Sequence, residues 1–230
     1  MLAQQSVPAL AKSAPKTLYQ LKSEIEFITL GELIEVYRKM LESNAAENKW
    51  QRFLSEHSFV LDMAFGYPVK MIAEQPYVGG KSVKGQGGQY SDFLMAAKAS
   101  GNLALIEIKH PQHDLLGKGY RKTHVPSYEL SGSVAQVISQ RSVLQKNILG
   151  LTEDLDDRVH AHAVVAIVII GRTPSKIGEQ RAFEQYRNCL KDVLVITFDE
   201  MLGRLEGIHK ALTPKPPVAH SLLSDEDLPF

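Results

Sequence analysis

Cysteine is almost missing from this 230-residue chain. The one copy, Cys189, can close no internal disulfide, and its neighbours in YRNCLKD supply no histidine that would make it a nucleophile. The habit of free cysteines predicts a buried, structural thiol. Net charge is missing too: 26 Lys and Arg balance 26 Asp and Glu, so no global basic field announces a polyanion partner. No apolar run approaches the ~18 residues of a membrane span. The opening MLAQQSVPALAKSAPK lacks the continuous apolar core of a signal peptide. These absences predict a cytoplasmic protein with no membrane partner. There is no internal repeat, and GGKSVKGQGG lacks the spacing of a phosphate-binding Walker loop and precedes a strand instead of opening a helix.

What the chain does have is apolar residues, 44% of the total, enough for one packed domain with extensions. Residues 1–20 read as a disordered tail, and 213–230, rich in Pro and acid, as another. A helical extension over 21–45 follows from Leu30, Leu33, Ile34, Tyr37 and Leu41 at helical spacing. A helix over about 45–58 presents Trp50, Phe53 and Leu54, with Glu47 one turn ahead on the same side. The period then changes. MIAEQPYV reads as a strand; QYSDFLMAA and NLALIEIK, joined by KASG, read as a hairpin. A helix over about 126–148 carries Leu130, Val134, Val137, Ile138 and Leu144. HAVVAIVIIG suggests a strand covered on both faces, and a helix, a strand and a last helix complete the order.

The stretch LALIEIKHP ends an apolar strand with charge. Residues two apart share a face, so Glu107 and Lys109 are neighbours on one surface while Ile106 and Ile108 point the other way. If Ser100 and Gly101 form the hairpin loop, Asp92 falls opposite Lys109, with Glu107 as its diagonal neighbour. A three-residue loop would turn Asp92 to the other face. Two carboxylates that close resist joint ionisation unless a cation lies between them. A hard divalent ion, Mg2+ with Mn2+ as substitute, suits oxygen ligands from Asp92, Glu107 and the Ile108 carbonyl, and acidifies a bound water. Lys109 would position or deprotonate that water, or neutralise charge on phosphorus. The plain alternative is an ion pair at the sheet rim, Lys109 with Asp92 or Glu107.

The acid in SDF and the EIK that follows resemble the PD-(D/E)XK nuclease superfamily. ENKWQRFLSEHSFVL, SDFLMA, LIEIKHP, YELSGSVAQV, VVAIVIIGR and VLVITFDEML are similar to the nuclease domain of Shedu-type antiphage defence proteins. The resemblance covers roughly residues 46–205. It implies an α/β fold with a restriction-endonuclease-like α-β-β-β-α-β core, a mixed central sheet flanked by helices, occupying residues 46–212. It further implies a metal-dependent DNA endonuclease in prokaryotic immunity, with Asp92, Glu107 and Lys109 as the catalytic set. Gln136 matches a helical glutamine that orients a water or the lysine in such sites, and Glu47 matches an acid that some members add to the metal. The chain departs from the pattern at Ser91, where proline is usual, and at Gln140, where many relatives have tyrosine. It lacks the large extra N-terminal domain of many Shedu proteins, so sensing would be absent or fall to a regulatory partner.

From Lys98 to Lys146 seven Lys and Arg face three acids, so a local basic surface fits a neutral protein. Lys81 and Lys84 in the glycine-rich loop, His110 at the rim, and Lys118, Arg121 and Lys122 in GKGYRKTHVPSY are the expected DNA contacts. His110 and His113 form an H-x-x-H, but the intervening Pro111 keeps them from sharing a helical turn. The neutral charge favours a regulated, assembly-dependent homo-oligomer over a constitutively active enzyme. A catalytically silent nucleic-acid- or protein-binding module of the same fold is the competing reading.

Overall fold

In the computed structural model, residues 15–80, 87–121, 123–151, 153 and 158–213 are described. They fall into two compact units, one from residues up to Leu33 with those from Glu206 onward, the other Ile34–Leu205. In the first, the Phe27 ring stacks on His209 at 4.1 Å between centroids.

The second unit holds a mixed five-stranded sheet. Helix α1 (Pro15–Glu42) enters it and is followed by α2 (Glu47–Glu56) and the single turn α3 (Phe59–Asp62). Strands β1 (Val69–Glu74), β2 (Tyr77–Gly79), β3 (Gln89–Tyr90), β4 (Phe93–Ala97) and β5 (Asn102–Ile108) come next. A hairpin, β6 (Leu116–Tyr120) and β7 (Thr123–Pro126), leads into the long helix α4 (Tyr128–Leu151). Strand β8 (His160–Ile169), helix α5 (Ile177–Cys189), strand β9 (Val193–Ile196) and helix α6 (Phe198–Leu212) complete the order. The main sheet runs β1-β4-β5-β8-β9, antiparallel across its first three strands and parallel across β5, β8 and β9.

Strand β5 is central, and its burial follows from its sequence. Leu103 and Leu105 join Leu94, Ala96, Ala166 and Val168 in a core closed by Leu130, Val134, Val137 and Leu144 of α4 and Phe183 of α5. The alternate residues Ala104, Ile106 and Ile108 are just as buried, as a strand covered on both faces requires. A second aromatic cluster ties the first helices to the end of the sheet. Trp50 meets Tyr37 and Phe198 at 4.7 Å each, and the Tyr37 hydroxyl donates to the Phe198 carbonyl at 3.0 Å. Trp50, Phe53 and Leu54 are the buried face of α2, as their spacing predicts.

Several expectations need correction. The hairpin register is displaced by two residues: Phe93 lies opposite Ile106 and Ala96 opposite Leu103, which puts Asp92 opposite Glu107 and not Lys109. The loop is Lys98 to Gly101, closed by a bond from the Gly101 N–H to the Ala97 carbonyl, with Gly101 at φ +68° where a side chain would be strained. An even displacement keeps the alternation, so the acids stay on one side. The two stretches read as single strands are each broken, at Gln75–Pro76 and at Ser91–Asp92, because a second small sheet, β2 with β3, branches off there. The hairpin β6–β7 was not legible in GKGYRKTHVP, whose glycines and charges mask any alternation. Cys189 is exposed at the end of α5, not buried, and Ile138 turns outward from α4.

Candidate active site

Strand β5 ends in a cluster of charges and amides. Glu107 is 3% exposed, placed by the alternation of β5 beneath α4. Three side-chain donors meet its carboxylate: Lys109 Nζ at 2.7 Å and Gln136 Nε2 at 2.6 Å on Oε1, and Gln140 Nε2 at 2.9 Å on Oε2. Gln136 and Gln140 are one helical turn apart, so a single face of α4 presents both. A carboxylate this buried needs such donors, because taking a lone ion out of water costs several kcal/mol or more.

Asp92 arrives from the break between β3 and β4. Its Oδ2 accepts from the Ile108 N–H at 2.6 Å and its Oδ1 from Gln51 Nε2 at 2.7 Å. Beside it, the buried Ser91 hydroxyl donates to the Ile106 carbonyl at 3.1 Å. Where β4 has stopped, the side chains of Ser91 and Asp92 therefore supply the rungs that its backbone would have supplied to β5. Burial, then the charge of Glu107 and that of Glu47, push the Asp92 carboxyl up to about 7, against the opposing pull of the Ile108 N–H and Lys109. For Lys109, burial works against the charged form. The hydrogen bond and charge of Glu107, with the charges of Glu47 and Asp92, outweigh it, and the ammonium lies above its usual range.

The structure thus brings Asp92, Glu107, Lys109 and Gln136 together, with Glu47, in the first turn of α2, near enough to act on two of them. Sequence reasoning passed over Gln51 and the parts played by Ser91 and Gln140. For Gln51 a signal existed: it stands four residues after Glu47 on a helix, hence on the same side. The remaining candidates sit apart in kind. Lys118 and Arg121 are exposed on the β6–β7 hairpin, Arg121 in its turn at φ +56° over the Tyr120 ring. His110 is half-buried, and its Nδ1 accepts from the Gln112 N–H at 3.1 Å. A polar cavity of about 470 Å³ lies between that hairpin and the turn after His110, lined by His113, His124 and Arg172 among others. Lys81, Lys84 and Lys122 lie outside the described residues.

A protein-family model described as the C-terminal part of the Shedu protein SduA matches residues 44–202. The chain belongs to this Shedu family. The matched segment runs from just before α2 to the first turn of α6, so it takes in every residue of the cluster. A curated relative, the Shedu protein SduA of Bacillus cereus (strain B4264), is 34% identical over 206 residues, covering 85% of this chain and 54% of that protein. The Shedu chain spans about half the length of the curated relative it matches. Among the described residues of this Shedu chain, no helix is long and apolar enough to cross a membrane.

Among the described residues, no three His, Cys, Asp or Glu side chains gather as a ready set of metal ligands. Two carboxylates do converge, and that suffices for magnesium, which keeps several waters and takes one or two protein carboxylates. Glu107 Oε1 already receives two donors, but Glu107 Oε2 and both Asp92 oxygens receive one each, so each keeps a lone pair. The donor set fits a hard divalent cation.

Proposed function

We propose that this chain is a metal-dependent DNA endonuclease that hydrolyses phosphodiester bonds, acting in prokaryotic antiphage defence through a restriction-endonuclease-like core. The observation that carries the reading is the convergence of Asp92, Glu107 and Lys109 at the end of a buried strand, with an acid held up near neutrality by burial and by its carboxylate neighbour. Perturbed carboxylates of this kind mark functional sites more often than rims of sheets. Membership of the Shedu family supports it.

Asp92 and Glu107, with the Ile108 carbonyl and Glu47 as further oxygens, would hold Mg2+ or Mn2+. The bound ion would polarise the phosphate and acidify a water. Beside that ion Lys109, hydrogen-bonded to Glu107, would position or deprotonate the water or neutralise charge developing on the phosphate oxygens. Gln136 holds Glu107 from the open side of α4. Lys118, Arg121 and His110, with Lys81, Lys84 and Lys122, would contact the DNA backbone. The balanced net charge makes nonspecific DNA affinity weak, so activity would rest on assembly of several copies or on a regulatory partner.

One observation favours the silent binding module: Glu107 Oε1 is saturated by Lys109 and Gln136, as a structural ion pair would be. Cleavage of linear and supercoiled DNA, with magnesium, manganese or chelator, separates the two. The nuclease cuts with either metal and loses roughly a hundredfold or more in Lys109→Ala. No cutting under any condition, with no metal-induced rise in Tm, sinks the nuclease reading.

A further inference from the structure

The amide of Gln140 does something that neither Gln51 nor Gln136 does. Its nitrogen donates twice, to Glu107 Oε2 at 2.9 Å and to the Tyr90 carbonyl at 2.7 Å. The side chain is 2% exposed, and its Oε1 is buried with no hydrogen-bond partner among the described residues. The amide's orientation is fixed by chemistry: turned over, it would aim its oxygen at a carboxylate and a carbonyl and leave two acceptors unmet.

Tyr90 is the first of three consecutive residues that are each pinned. The Tyr90 carbonyl is held by Gln140, the Ser91 hydroxyl by the Ile106 carbonyl, and the Asp92 carboxylate by the Ile108 N–H. One residue earlier, Gln89 is tied to Ser139 of α4 at 3.2 Å. The segment that delivers Asp92 is thus moored to β5 on one side and to α4 on the other. At Gln140 the mooring and the second carboxylate share a single nitrogen. Gln51 and Gln136, by contrast, lie in half-buried and exposed positions and each hold one carboxylate oxygen alone.

We infer that Gln140 is a positioning residue that fixes the separation and orientation of the Asp92 and Glu107 carboxylates for a divalent cation. It does so by bridging Glu107 to the backbone of the segment that carries Asp92. The inference rests on the metal-site reading above. Through it, one helix residue links an acid on a central strand to an acid on a chain break. Loss of an outer residue that places a ligand typically costs roughly tenfold to a hundredfold in metal affinity or activity.

The test is calorimetric titration of Mn2+ into the full chain, comparing wild type with Gln140→Met, which keeps the side chain's length and removes its donors. Gln145→Met serves as control. It replaces another glutamine of α4, one that donates to the Ala161 carbonyl at 3.3 Å and lies outside the Asp92 and Glu107 cluster. Gln140→Met should weaken Mn2+ binding at least fivefold and lower kcat for DNA cleavage with KM unchanged, while Gln145→Met changes neither. Should Gln140→Met prove unstable, Gln140→Leu offers the same loss of donors in a shorter side chain. Unchanged Mn2+ affinity in a folded donor-less variant overturns the inference, as does absence of Mn2+ binding by wild type. Weakened binding in Gln140→Met with no DNA cleavage by wild type leaves the inference standing and removes the nuclease reading instead.

Discussion

Replacing Asp92 by asparagine should stabilise the protein, and by an amount that grows with pH. The Asp92 carboxyl sits at about 7 in the fold against 3.8 when free. The raised value means that the folded state holds the proton more tightly than the unfolded one. The stabilisation this confers is full below 3.8 and is lost as pH rises through 7. At ~1.4 kcal/mol per unit of difference, the loss reaches about 4 kcal/mol above neutrality and about 1.7 kcal/mol at pH 5. The amide introduced by Asp92→Asn would still accept from the Ile108 N–H and could still pair with Gln51 once the Gln51 amide turned over, while carrying no charge. The advantage of Asp92→Asn over wild type should therefore widen by roughly 2.5 kcal/mol between pH 5 and pH 8, equivalent to a Tm gap growing by about 5–10 °C. Chemical denaturation with chelator present, at several pH values across that range, measures it. Adding magnesium at pH 8 should then raise the Tm of wild type and leave the variant unmoved. A gap that stays flat with pH, or a variant less stable than wild type at pH 8, would refute the account of Asp92 as a strained carboxylate.

Two further outcomes follow from the same region. Ser91→Ala removes the hydroxyl that meets the Ile106 carbonyl in a buried setting, which should cost roughly 1–3 kcal/mol in urea unfolding; a loss under about 0.5 kcal/mol would show that the rung is dispensable. Gly171, at φ +63°, leaves a Cβ only 2.6 Å from both the His113 carbonyl and Leu115 Cδ2. Gly171→Ala should cost about 1–3 kcal/mol from backbone strain alone and should reduce DNA cleavage by shifting the turn that begins at His110; full activity with unchanged stability would contradict this.

The sequence was most legible where burial dictates pattern. The alternation of LALIEIK put the acid and the lysine of β5 on one side, and the apolar positions of α2 were read correctly to the residue. The hairpin register was legible only to its parity, because Ser100–Gly101 looks like a complete two-residue turn, whereas the backbone makes a wider loop from Lys98 to Gly101. Parity was enough to keep Asp92 with Glu107. Gln140 was noticed only as a departure from a pattern, since its partners, Tyr90 and Glu107, are 50 and 33 residues away. Ser91 stood out only as a departure from proline for the same reason: a hydroxyl aimed at the carbonyl of another strand leaves no mark on its own neighbourhood in the chain.

The bond from the Ile108 N–H to Asp92 has a consequence for observing this protein. A main-chain amide whose acceptor is the ionisable group itself is a built-in spectroscopic probe. Its resonance registers each change of charge on that oxygen, whether a proton leaves or a cation arrives. No substrate or turnover is needed to follow the state of the site, and the signal comes from the last residue of the central strand.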